Sequence, residues 1–135
     1  MRTMLRGLAA ILVLATASGV AAAPRDKLSG EARLAKLLEG RVAGKPVNCI
    51  RLSDVQGSEI IDRTAIVYHM SGARLFVNRP RSGASSLRED DVLVTKTYGN
   101  DLCAPDAVNL VDSTSHFPRG FVILGPFVPY GKPAR

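Results

Sequence analysis

Two cysteines, Cys49 and Cys103, are all that the chain contains, and their state limits every fold open to it. Joined, they close a loop of about 55 residues, which in the chain-entropy picture stabilises the folded state by roughly 4 kcal/mol. That is a large share of what holds a small domain together. The two residues lack the Cys-x-x-Cys spacing that lowers a thiol pKa for redox work, so a structural bridge is expected, and such a bridge persists only in an oxidising compartment.

The N-terminus agrees with that compartment. Arg2 and Arg6 are followed by an apolar run from Leu8 to Ala17, broken only by Thr16, and then by Ser18-Gly19-Val20-Ala21-Ala22-Ala23. This is the order of a secretory signal peptide, cleaved after Ala22 or Ala23. The run is shorter than the roughly 20 residues of a spanning helix, and no cysteine follows the small residues to carry a lipid. A periplasmic or secreted protein is expected, with no transmembrane segment after cleavage. The 135 residues then divide into a signal peptide (1–23), an arm and short helix (24–45), a disulfide-bonded β-rich domain (46–130) and a tail (131–135).

The chain has 18 Lys+Arg against 12 Asp+Glu. Loss of residues 1–23 removes Arg2 and Arg6, leaving 16 against 12 and a net charge of +4. With no tryptophan, few aromatics and basic residues spread along the chain, this is no nucleic-acid footprint. It favours contact with an anionic envelope component or a periplasmic protein.

Ser29 is placed to cap a helix with Glu31 in its first turn. Leu34, Leu37 and Leu38 share one face, and Gly40 suits a left-handed C-terminal position, so an amphipathic helix is expected over 30–39. Val47 to Leu52 alternates as a strand. Ser53 to Ser58 reads as turn-like, with a short apolar piece, Glu59-Ile60-Ile61, after it. Asp62-Arg63 reverses the chain into Thr64 to Met70, and Ser71-Gly72 turns it into Ala73 to Asn78. Residues 79–86 have loop composition. Val92 to Thr97, Asp106 to Val111 and Phe121 to Leu124 complete the strands, with a polar loop over 112–120. The proline-bearing stretch after Gly125 is expected to hold edge pairing at most. The fold class expected is α+β: a small, mostly antiparallel, curled sheet or partial barrel of five to seven short strands with one N-terminal amphipathic helix.

The leader, Val47-Asn48-Cys49-Ile50-Arg51-Leu52, Ile61-Asp62-Arg63-Thr64, Tyr98-Gly99-Asn100-Asp101-Leu102-Cys103 with Asp106, and Gly120 to Phe127 together resemble a family of small exported proteobacterial proteins of unknown function. The resemblance covers about residues 45–130 and implies fold and compartment, not activity. Many members carry a second cysteine pair; here the corresponding positions hold Ala84 and Val122.

Chemistry is sparse. His69 lies in a strand and His116 in a loop, and two histidines with two bridged cysteines make no zinc site, so neither a metal nor another cofactor is expected. Glu89-Asp90-Asp91 lacks the spacing that wraps calcium and reads as a solvated turn. No Gly-x-Ser-x-Gly or Ser-x-x-Lys occurs, so no catalytic residue is assigned. Arg74, Arg79, Arg81 and Arg88 form a candidate anion-binding edge, because guanidinium forks match carboxylates and phosphates. The plainer reading pairs them with Glu89, Asp90 and Asp91. A non-enzymatic binding or accessory module of the cell envelope is expected, the alternative being a small enzyme or enzyme inhibitor working through the 79–91 and 112–120 loops.

Overall fold

A computed structural model describes residues 29–134; the expected signal peptide and residues 24–28 of the arm lie outside the described residues. The hairpin at Asp62-Arg63 forms one side of the main sheet. It joins β3 (Val55–Ile61) to β4 (Ala65–Met70) through a turn in which the Thr64 amide donates to the Ile61 carbonyl and Arg63 takes a positive φ of 52°. β5 (Leu75–Asn78) follows after the turn at Ser71-Gly72.

Two edge pieces, β1 (Val42–Ala43) and β2 (Cys49–Arg51), precede this hairpin in the chain. After it come β6 (Asp91–Thr95), β7 (Asp101–Cys103), β8 (Ala107–Asp112), β9 (Pro118–Ile123) and β10 (Phe127–Gly131). All pairings are antiparallel: a five-stranded sheet ordered β1-β10-β5-β4-β3, a three-stranded sheet β6-β8-β9 and a two-stranded ribbon β2-β7. The sheets do not close into a barrel.

Ten strands among the described residues replace the five to seven expected. The additional ones are β1 and β7, pieces of two or three residues too short for alternation to show, and β10 in the tail, whereas β2 falls within the strand expected over Val47 to Leu52. Residues 53–58 are largely not a turn: from Val55 they form the first half of β3, where Gly57 and Ser58 sit at a sheet edge beside a bulge at Val55/Gly57. The tail after Gly125 is not confined to an edge either, because β10 pairs with both β1 and β5. Pro129 is tolerated there for a geometric reason. Its carbonyl accepts from Gly44 on the β1 side, and in a strand the N–H of the same residue would point that way too, so the missing donor spares the ladder to β5.

β4 (Ala-Ile-Val-Tyr-His-Met) is buried on both faces except at His69, which explains its nearly continuous apolar run. One face, with Ile66, Tyr68 and Met70, joins Ile60 and Phe127 against Leu110, Val108 and Val122 of the three-stranded sheet and Ile50 and Leu102 of the ribbon. The other, with Ala65, Val67, Leu75 and Val77, is covered by α1 (Gly30–Leu37) through Leu34, with Leu37 and Leu38 alongside. The helix is the single short one of the described residues; Ser29 accepts from the Ala32 amide at its start.

The bridge is present. Cys49 and Cys103 stand opposite each other in the β2-β7 ribbon, with Cα atoms 4.0 Å apart. The segment from Arg79 to Asp90 is tied down rather than loose. Arg81 donates to the Ile123 carbonyl, and the Ile123 amide donates to Ser82. Gly83, at φ 81°, packs so close to Phe121 and Val122 that a side chain there would collide with backbone. Ala84 and Val122, the positions singled out by the family resemblance, belong to these two meeting segments.

Candidate functional site

Because β3 ends one sheet and β6 ends another, the layers part along one side of the molecule, leaving a seam between two strand edges. It holds a groove of about 380 Å³ lined by Ser58, Glu59 and Ile60 of β3, by Asp91, Val92 and Leu93 of β6, and by Glu89 and Arg33. Each wall is therefore three consecutive strand residues, and the charged lining is three carboxylates against one guanidinium.

Arg33 closes one end. Leu34 anchors the helix on the sheet, which brings the preceding side chain to the β3 edge, where Arg33 Nη2 donates to Glu59 Oε1 at 3.1 Å and Nη1 to Glu89. The hydrogen bond donated to Glu89, with help from the one to Glu59, holds the guanidinium pKa above its ordinary value against the opposing effect of desolvation. Glu59 also faces His69, whose Nε2 lies 3.5 Å from its other oxygen. The β3-β4 turn sets Glu89 in place: the Glu89 amide donates to Asp62 Oδ1 at 2.6 Å, and the Arg63 amide to the Leu87 carbonyl.

Asp91 departs from the expected solvated turn. Asp90 and Glu89 are exposed, but the Asp91 side chain has 0% exposure and neither oxygen has a hydrogen-bond partner. Its nearest cation is Arg119, with Nε 3.4 Å from Oδ1, beyond good hydrogen-bond length. A carboxylate stripped of water with no donor in place is costly to keep. The inward register of β6 causes it: Asp91, Leu93 and Thr95 point toward the interior side while Val92 and Val94 are exposed.

The four arginines of the expected anion edge are not brought together. Arg74 and Arg79 flank β5 at opposite ends, about 16 Å apart at strand spacing. Arg79 is held bidentately by Glu31 of α1, at 2.6 and 3.0 Å; this hydrogen bond, first, keeps the Glu31 carboxyl below its ordinary value despite an opposing desolvation. Among the described residues Arg74, Arg81 and Arg88 form no ion pair. Glu89 and Asp91 instead pair with Arg33 and Arg119, which stand 56 and 28 positions away in the chain, too far for local pattern to reveal.

The 112–120 loop is shorter than expected, since β9 starts at Pro118. Asp112 Oδ1 accepts from the Thr114 amide, the Ser115 amide and the Ser115 hydroxyl at 3.0, 2.7 and 3.0 Å. These bonds, the Ser115 amide foremost, hold the Asp112 carboxyl below its ordinary range. The serine thus donates to an acid in an exposed turn, and the adjacent His116 contributes its backbone amide to the Asp112 carbonyl. That is turn construction, not a nucleophile with its base.

Two other grooves are smaller in charge content. One of about 270 Å³ is apolar, between Pro46, Val77, Pro126, Val128 and Tyr130, with Arg79 at its rim. The other, about 390 Å³, lies along Lys96 to Asp101 beside Cys103 and Asp106. Among the described residues no three His, Cys, Asp or Glu side chains are grouped to hold a metal ion, and no helix is long and apolar enough to cross a membrane. Comparison with protein-family models, with curated proteins and with solved structures finds no match, so no family is identified.

Proposed function

We propose that this protein is a non-enzymatic binding module that works outside the cytosol and holds, in the β3-β6 seam, a ligand carrying a cationic nitrogen. The single observation that carries the reading is the carboxylate of Asp91, buried without a hydrogen-bond donor and with Arg119 only at ion-pair distance, at a groove whose charged lining is mostly acidic. An ammonium or guanidinium group in the groove donates to the accessible carboxylates and offsets the buried charge of Asp91, and a charge-assisted hydrogen bond of that kind is about twice as strong as a neutral one. Glu59 and Glu89, held in position by Arg33, add attraction for the same sign of charge. The bridge between Cys49 and Cys103 supports an oxidising compartment. The family resemblance of the sequence supports the same compartment.

The test is a titration of the isotopically labelled protein with butylamine, with butylguanidine and with inorganic phosphate, followed by amide chemical shifts. The two cations shift the amides of Ser58 to Ile60 and Asp91 to Leu93 saturably, and Asp91→Asn abolishes the effect. Absence of saturable shifts with either cation, or saturable shifts with phosphate alone around Arg79 and Arg81, overturns the reading.

A further inference from the structure

We infer that the seam accepts an extended peptide segment bearing lysine or arginine, added as a strand between β3 and β6. This rests on the binding reading above and gives its ligand a form.

Both strands are one-sided. β3 pairs only with β4 and β6 only with β8 among the described residues, so each turns toward the groove an edge of backbone N–H and C=O groups with no strand partner. Such edges are templates for an incoming strand, which gains affinity from main-chain hydrogen bonds and specificity from alternate side chains. The groove has the shape for it: its walls are consecutive residues of two strands rather than the tips of loops. Within an added strand every second side chain points to the same face, so one basic side chain directed at Glu59 and Glu89 leaves its immediate neighbours on the opposite face.

Charge selects the occupant. Glu59 and Glu89 share one cation, Arg33, in the lining of the groove, and Asp91 accepts no hydrogen bond, with Arg119 Nε 3.4 Å from its Oδ1. An acidic or phosphorylated segment would meet like charge. A second copy of this chain would bring Glu59 or Asp91 on its own free edge into the same lining, and like charges juxtaposed at an interface oppose association. A basic extended segment satisfies both the backbone edges and the carboxylates.

The experiment compares, on the oxidised protein, a capped peptide of alternating lysine and valine, two versions N-methylated on one or the other alternating set of amides, and Nα-acetyl-lysine methylamide. Calorimetry measures affinity, and hydrogen exchange follows the amides of β3 and β6. The unmodified peptide binds about tenfold or more tighter than the single lysine, and each methylated version loses about tenfold, the worth of a main-chain hydrogen bond or more. Edge amides of β3 and β6 gain protection only with the unmodified peptide. If the lysine derivative binds as tightly as the peptide, or methylation changes nothing, strand addition is overturned while the cationic-ligand reading stands. If neither probe binds, both fall. Self-association that the peptide fails to compete away, seen by sedimentation, also overturns the inference in favour of a second copy.

Discussion

At the scale of single residues, polar groups decide more than the apolar ones. Asn78 is fully buried at the end of β5, where its amide nitrogen donates to the Gly125 carbonyl at 2.7 Å and its oxygen accepts from the Gly125 amide at 3.1 Å. Gly125 in turn sits against the Arg79 carbonyl where a side chain would collide. Tyr68 is the contrasting case: its buried hydroxyl has no partner, and burial pushes its pKa up, so the phenol stays protonated. The Glu31–Arg79 pair yields a pH prediction. Because the folded Glu31 carboxyl lies below its unfolded value, the pair's contribution is complete above the ordinary carboxylate range and lost as pH falls through the folded pKa. Both side chains are more than half exposed, so the coupling is about 0.5 kcal/mol. A double-mutant cycle with Glu31→Gln and Arg79→Gln in urea shows that coupling near neutral pH, declining as the pH is lowered through the folded Glu31 pKa. Coupling that persists in acid contradicts the assignment.

Among the elements, α1 has the clearest division of labour. Leu34, 1% exposed, buries the helix against Ala65, Val67 and Leu75, whereas Arg33 beside it spans to the seam. Leu34→Ala is expected to destabilise the fold by about 3 kcal/mol through lost burial and the cavity left behind. Leu37→Ala, at a half-buried site, costs about a third as much. Urea midpoints of the two variants check the order, and equal losses would place the helix elsewhere. The strands show the complementary lesson. β4 was legible because burial on both faces leaves an apolar run, and the turns at Asp62-Arg63 and Ser71-Gly72 were legible from Asp62, Ser71 and Gly72, residue types that favour turns, although the positive φ of the first turn falls on Arg63. The first half of β3 was hidden, since an edge strand with glycine, serine and a bulge has little apolar alternation to display.

For the whole molecule, the disulfide links the ribbon β2-β7 across 54 positions of sequence. The ribbon contributes Ile50 and Leu102 to the main core, so loosening it affects packing as well as chain entropy. Replacing both cysteines by alanine is expected to lower the unfolding free energy by about 2 to 4 kcal/mol, read from denaturant curves of oxidised wild type and the double variant. Cys49 is exposed and Cys103 half-buried, so reductant should produce the same loss in the wild-type protein without prior unfolding. Identical curves with and without reductant would remove the bridge from the account of stability.

Local patterns in the chain determined the helix face, the two central turns and the partner of each cysteine, because periodicity, turn-forming residue types and a count of two thiols need no knowledge of distant residues. Tertiary structure alone decided which charges meet. Arg33 reaches Glu59 and Glu89, and Asp91 loses its water, only once two sheet edges are set side by side. A side chain's partners across a seam depend on how layers stack, and that information is spread over the whole core rather than written near the residue itself.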